Sequence, residues 1–125
     1  MITLLLVNDE PLVRQGLHMW LDRAPDVTVV GEARSGAEAL SLAQELHPDV
    51  VLIDLSRAPM DGFLTTAALR NSEAHSEVVL LSLHDEASIR SRAHAAGAAA
   101  FVGEQEGAHA LLEAIRRVTQ QGHVL

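Results

Sequence analysis

The chain has 125 residues, a formal net charge of −8, no cysteine, and nine basic residues that are all arginine. That is the length of one domain with a core of its own, and it excludes disulfide frameworks, thiol nucleophiles, thiolate metal sites and lysine-dependent Schiff-base or phosphate-loop chemistry. Scattered arginines on a net acidic chain make a poor nucleic-acid binder. No apolar run approaches the ~20 residues of a membrane span, and no basic stretch precedes the first apolar run as in a signal peptide, so the expected location is the cytoplasm.

Ile2 to Val7 is apolar except for Thr3, too short for a buried helix, and ends at Asn8-Asp9-Glu10; it predicts a buried strand. Pro11 suits the first turn of a helix in which Leu12, Val13, Leu17, Trp20, Leu21 and Ala24 recur at helical spacing as far as Pro25. Core packing is the expectation for Met19 and Trp20, with Trp20 also a candidate for a dimer face. Val27 to Val30 is a β-branched strand ending at Gly31. Ser35-Gly36-Ala37-Glu38 is a capping box, with Ala37, Leu40, Ala43 and Leu46 expected on one face before Pro48 stops the helix.

Val50 to Ile53 is the third strand and ends at Asp54; a turn-rich loop from Ser56 to Gly62 leads to a short helix from Phe63 to Arg70. Val78 to Leu81 is the fourth strand, followed by Ser82. Asp85 is placed to cap a helix carrying Ile89, Ala93 and Ala96, which Gly97 ends. Ala99 to Val102 is a weaker fifth strand, and Leu111, Leu112, Ile115 and Val118 mark the last helix. Arg116-Arg117 suit the negative end of that helix, or an interface.

Five βα units with continuous apolar strands indicate a parallel sheet covered on both faces. The common arrangement of this kind is doubly wound and flavodoxin-like, with strand order 2-1-3-4-5 and its ligand crevice at the carboxyl ends of strands 1 and 3. Asp9 and Asp54 then converge at the switch point, with Ser82 and Glu104 at the neighbouring strand ends. Paired carboxylates with nearby carbonyls suit Mg²⁺, and a carboxylate can attack a phosphoryl group to give an acyl phosphate. Asp9 alone reads better as a helix cap; the pair at corresponding strand ends favours a site. The seven histidines, His18, His47, His75, His84, His94, His109 and His123, show no paired ligand spacing and read as surface residues.

LLLVNDEPLVRQGL (Leu4 to Leu17), VVGEARSGAEAL (Val29 to Leu40), PDVVLIDLSRAPMDG (Pro48 to Gly62), VVLLSLHDE (Val78 to Glu86), AAGAAAFV (Ala95 to Val102) and LLEAIRRV (Leu111 to Val118) stand in one order and spacing. End to end, residues 1–125 resemble the receiver domain of two-component response regulators, and most closely the LuxR/NarL-type subfamily. The resemblance implies Asp54 as phosphoacceptor, Mg²⁺ held by Asp9, Asp54 and the Ser56 carbonyl, and Asn8 and Asp9 in the acidic-pocket positions. It implies Ser82 and Phe101 as the switch residues. As partners it implies a sensor histidine kinase and a second copy of the chain, with DNA reached only through a helix-turn-helix domain outside these residues. The closing Gln120 to Leu125 resembles the passage into that domain's linker; a stand-alone receiver is the alternative.

Three positions depart from the family. Asn8 stands where it has the first of two acids, Glu104 where it has a phosphoryl-binding lysine, and Ala58 where it has a proline, with Pro59 one residue later. The family's three acids and one lysine carry two net negative charges; Asp9, Asp54 and Glu104 carry three. A phosphoryl group adds ~1.5–2 more, and without the lysine its anchored state loses a charge-assisted bond of roughly 1.5–3 kcal/mol. Arg57 is the candidate rescuing cation. Weakened switching therefore competes with a phosphorylation-independent receiver, with an ordinary Mg²⁺-dependent one, and with a pure interaction module. An enzyme is not expected beyond self-phosphorylation at Asp54. A haloacid-dehalogenase-type phosphatase needs a second Asp where Ser56 stands, and a flavodoxin needs a Ser/Thr/Gly loop where Asn8-Asp9-Glu10-Pro11 stands.

Overall fold

A computed structural model describes residues 1–55, 59–84 and 86–121. Strands β1 (Ile2–Val7), β2 (Val27–Ala33), β3 (Val50–Asp54), β4 (Glu77–Ser82) and β5 (Ala100–Gly103) alternate with helices α1 (Pro11–Leu21), α2 (Gly36–Leu46), α3 (Pro59–Arg70), α4 (Ala87–Ala96) and α5 (Ala108–Gln121). A short 3-10 turn, Glu104–Glu106, separates β5 from α5. The strands form one parallel sheet of order β2-β1-β3-β4-β5, as expected.

The apolar runs are continuous because both faces of the sheet are covered. Leu5, Val7, Val51, Ile53, Val78 and Leu80 face a layer built with residues of α2, α3 and α4. Their alternates Leu4, Leu6, Val50, Leu52, Val79 and Leu81 face α1 and α5, where Leu21, Leu111, Ile115 and Val118 are buried. The two-residue period of a strand thus sorts one run of apolar residues into two cores.

Several expectations are corrected. In α1 only Leu21 is fully buried; Leu12 is 76% exposed and Met19 64%, and Val13 is exposed too, because Leu17, Trp20 and Leu21 set the inward face and these three lie off it. In α2 the buried residues are Ala39 and Ala43, with Leu40 and Leu42 beside them, while Ala37 and Leu46 are exposed. Gly31 does not end β2 but continues it, and a register shift between Leu4 and Leu5 leaves Val30 as the extra residue. A Cβ at Gly31 would stand 2.9 Å from Leu46 Cδ1, so the glycine lets α2 pack close to the strand. The third helix begins at Pro59 rather than Phe63. Arg116 does not serve the helix end: it makes a two-pronged pair with Asp26, at 2.7 and 2.9 Å, tying α5 to the loop before β2. Asp85, Ala58 and residues 122–125 lie outside the described residues.

Half of the expected capping box forms, with the Ser35 hydroxyl accepting the Glu38 N–H at 3.1 Å. The Glu38 carboxylate reaches back to the Arg34 N–H at 2.8 Å, one residue earlier than the motif's usual target. Gly97 closes α4 in the left-handed region at φ 98.

Ile115 is completely buried between α5 and the sheet. Ile115→Ala is expected to destabilise the fold by about 2–5 kcal/mol, read from the urea midpoint at unchanged slope.

Candidate functional site at the carboxyl end of the sheet

The strand order turns back between β1 and β3, and the loops that follow them open a crevice there. Asp54 is the last residue of β3 and half-buried; Asn8 follows β1 and is 3% exposed. The pairing of Val7 with Ile53 sets the two side by side. Asn8 Nδ2 donates to Asp54 Oδ2 at 2.7 Å, and Asn8 Oδ1 accepts the Glu10 N–H at 2.6 Å. Its backbone N–H donates to the Ala33 carbonyl at 3.1 Å, and its carbonyl accepts Arg14 Nη1 at 2.8 Å. Both ends of the buried amide are therefore satisfied, as its burial requires.

Asp9 is exposed and shares with Asn8 and Asp54 a cleft of about 150 Å³, whose far wall carries Arg34, Gly36 and Thr65. A Cβ on Gly36 would fall 2.2 Å from Thr65 Oγ1, so only glycine lets α2 start this close to α3. Two carboxylates on one cleft are a donor set suited to a single hard cation whose remaining positions go to water and carbonyls. Among the described residues no group of three ligands gathers.

Ser82 lies beside this crevice, buried at the end of β4, where Asp54 pairs with Leu81. Its hydroxyl accepts the His84 N–H at 3.0 Å and so is engaged by its own loop. Glu104 opens the 3-10 turn after β5. Partial burial, and secondarily the negative Asp54 nearby, push its carboxyl above the ordinary 4.5. Phe101 is buried in β5 and borders a different cavity, a groove of about 560 Å³ between α4 and α5. The Arg90 guanidinium stands 4.7 Å over the Phe101 ring and pairs with Glu106 Oε2 at 3.0 Å. The same oxygen accepts the Gly103 N–H at 2.8 Å.

The fold thus gathers Asn8, Asp9 and Asp54, sets Glu104 within electrostatic reach, and leaves Phe101 on another face. Ser56 and Arg57 lie outside the described residues. Sequence reasoning missed two features. Arg34 and Thr65 join the cleft through the β2–α2 loop and α3, and the strand order 2-1-3 already placed the first of these loops beside Asn8. His18 is the other. It is half-buried and hydrogen-bonded to Glu32, with Asp22 at 3.4 Å on its second nitrogen. The bond from His18, reinforced by Arg14 at 2.7 Å, holds the Glu32 carboxyl below its usual value. Of the other histidines, His47, His75, His84, His94 and His109 are exposed as expected, and His123 lies outside the described residues.

Comparison with known proteins gives one consistent picture. The family profile of the response regulator receiver domain matches residues 4–116. The chain is 40% identical over 86 residues to the nitrate/nitrite response regulator NarL of Escherichia coli, covering 67% of this chain and 40% of that protein. It is 36% identical over 118 residues to the response regulator GacA of Pseudomonas aeruginosa, covering 94% and 55%. It therefore spans about half the length of the curated relatives it matches. Among solved structures, the receiver domain of NarL from Mycobacterium tuberculosis superposes with a TM-score of 0.86 at 35% identity, over 96% of this chain and 97% of that one. A LuxR-family regulator from Aurantimonas sp. SI85-9A1 gives 0.88 at 28% identity, over 95% and 85%.

A raised Glu104 carboxyl has a definite consequence for stability. The folded state favours its protonated form, so its contribution is fully present below the unfolded value of about 4.5 and is lost as pH rises through the folded value. Glu104→Gln should stabilise the fold near neutral pH by about a few tenths of a kcal/mol after solvent screening, read as a higher urea midpoint, and leave the midpoint unchanged below about pH 4.

Proposed function

The chain belongs to the response regulator receiver family, of the NarL/LuxR type, and on that premise we propose that Asp54 accepts a phosphoryl group and that the switching it drives is weakened. The observation that carries this reading is the crevice itself. Asp54 is half-buried at a strand end and opens, with Asp9, onto a cleft bordered by a neutral amide. A carboxylate oxygen of Asp54 attacks phosphorus, the new O–P bond forming as the donor's bond to phosphorus breaks (P–N in a phosphohistidine, P–O in acetyl phosphate), and the product is an acyl phosphate.

Receiver domains generally bind Mg²⁺ at the phosphorylation site; here Asp9 and Asp54, with the Ser56 carbonyl, are its proposed ligands, and it would neutralise phosphoryl oxygens. Asn8 donates to Asp54 and adds no charge, so it orients the nucleophile. Glu104 stands where the resemblance expects a cation, and its charge repels both Asp54 and any phosphoryl group there. Ser82 and Phe101 are the proposed switch pair. The Ser82 hydroxyl accepts the His84 N–H and keeps its own O–H to donate to a phosphoryl oxygen. Turning Phe101 outward would require Arg90 to leave its ring.

A second reading, phosphorylation-independent output, is favoured by one contact, the Asn8–Asp54 bond that already occupies an oxygen of the nucleophile. The two readings separate on incubation with acetyl phosphate and Mg²⁺. Under the first, intact-mass spectrometry records one phosphoryl adduct that Asp54→Asn abolishes, and Glu104→Lys prolongs its lifetime by about tenfold or more. No adduct on the wild-type chain would leave the second.

A cytoplasmic location is consistent with the absence, among the described residues, of any helix long and apolar enough to cross a membrane. A sensor histidine kinase as phosphodonor, self-association, and DNA binding through a further domain complete the proposal. It rests on the family and on the relatives' greater length.

A further inference from the structure

A phosphoryl group at Asp54 calls for a cationic side chain beside the metal, and arginine is the only permanently charged one this chain has. Most of the described arginines are committed elsewhere. Arg14 holds Glu32 and the Asn8 carbonyl, Arg70 faces Glu77, Arg90 and Arg92 cover the rings of Phe101 and Phe63, and Arg116 pairs with Asp26. Arg117 lines the groove between α4 and α5, and Arg23 follows α1 at the opposite end of the sheet.

Arg34 differs in place and in restraint. Val7 pairs with Ala33, and the Asn8 N–H bonds the Ala33 carbonyl, so the residue after β2 is carried to the mouth of the crevice. There Arg34 lines the same cleft as Asp9 and Asp54. Its side chain is 72% exposed, and its guanidinium lies 3.9 Å from Glu38, a loose i,i+4 contact rather than a fixed pair. What fixes the loop is the backbone: the Arg34 N–H is held by Glu38 and the next residue caps α2. The base of the side chain is thus anchored while its charged end remains able to move.

We propose that Arg34 is a phosphoryl-binding residue of this receiver, supplying from the β2–α2 loop the positive charge that is missing after β5. Counting Arg34 with Asp9, Asp54 and Glu104 brings the crevice from three net negative charges to two, the total that a site of three acids and one lysine carries. A guanidinium also offers two parallel donors to a phosphoryl group, where an ammonium acts as a point charge. The inference rests on the reading of Asp54 as phosphoacceptor.

The test uses beryllofluoride with Mg²⁺ as a phosphoryl mimic, followed by fluorine NMR, and Mg²⁺ alone as a second probe. Arg34→Gln should weaken beryllofluoride retention by about tenfold to a hundredfold, and Arg34→Lys should restore most of it. Arg34→Gln should also bind Mg²⁺ as tightly as the wild type or tighter, because a positive charge facing the ion has gone; a damaged fold would weaken both ligands together. Arg23→Gln makes the same change in net charge far from the crevice and should match the wild type. If Arg34→Gln also retains beryllofluoride like the wild type, the assignment of Arg34 is overturned while Asp54 stands. If the wild-type chain retains none, and acetyl phosphate leaves no adduct that Asp54→Asn removes, the Asp54 reading falls and Arg34 falls with it.

Discussion

Asn8 is buried where three strands of the sheet end together, and every polar atom it owns is used there. Its N–H holds the end of β2 at Ala33, its side-chain amide holds the end of β3 at Asp54, and its carbonyl and Oδ1 hold Arg14 and the start of α1. A carboxylate in this position would meet Asp54 as a second negative charge and could not donate to it; an amide can. The same exchange that removes a charge from the site therefore gives the crevice a rigid floor. Burial makes the arrangement specific, because an unsatisfied end of that amide would cost about 1–3 kcal/mol.

The floor is continued sideways by charge. Arg14 spans from the Asn8 carbonyl to Glu32 on β2, and Glu32 in turn binds His18 on α1, with Asp22 beyond it. This chain crosses from the crevice to the α1 face in hydrogen bonds and ion pairs between side chains on adjacent elements. The depressed Glu32 carboxyl follows from it, since the anion is favoured by His18 and Arg14 together. Such a network stays intact while Glu32 is ionised, so it ties the geometry behind Asn8 to a residue well away from Asp54.

How much of this the sequence discloses depends on what each feature rests on. The five strands and their order are legible because buried parallel strands must be apolar on both faces, and runs such as Val50 to Ile53 have no other soluble explanation. Asp54 and Asp9 are legible for the same reason, as the charges that end those runs. The inward faces of α1 and α2 are not, because apolar residues outnumber the positions that can be buried. Leu12, Met19 and Leu46 fit a helical period but lie off the stripe that the sheet covers. The roles of Arg34 and His18 are less legible still. Neither belongs to a motif, and each acquires its partners from loops and strands that only the assembled sheet brings near.

The crevice and the Phe101 face are separate cavities, and one short turn carries both a charge that acts on Asp54 and a residue that lines the Phe101 groove. Glu104 and Glu106 belong to the same 3-10 turn, closed by the Gly107 N–H on the Glu104 carbonyl at 3.1 Å. Glu104 feels the charge of Asp54, while Glu106 anchors the Gly103 N–H and holds Arg90 over the Phe101 ring. A turn of three residues has little freedom to move one side chain's base without the other. Under the proposed reading, repulsion between Glu104 and a phosphoryl group at Asp54 would act on the same turn whose Glu106 holds Arg90 over Phe101.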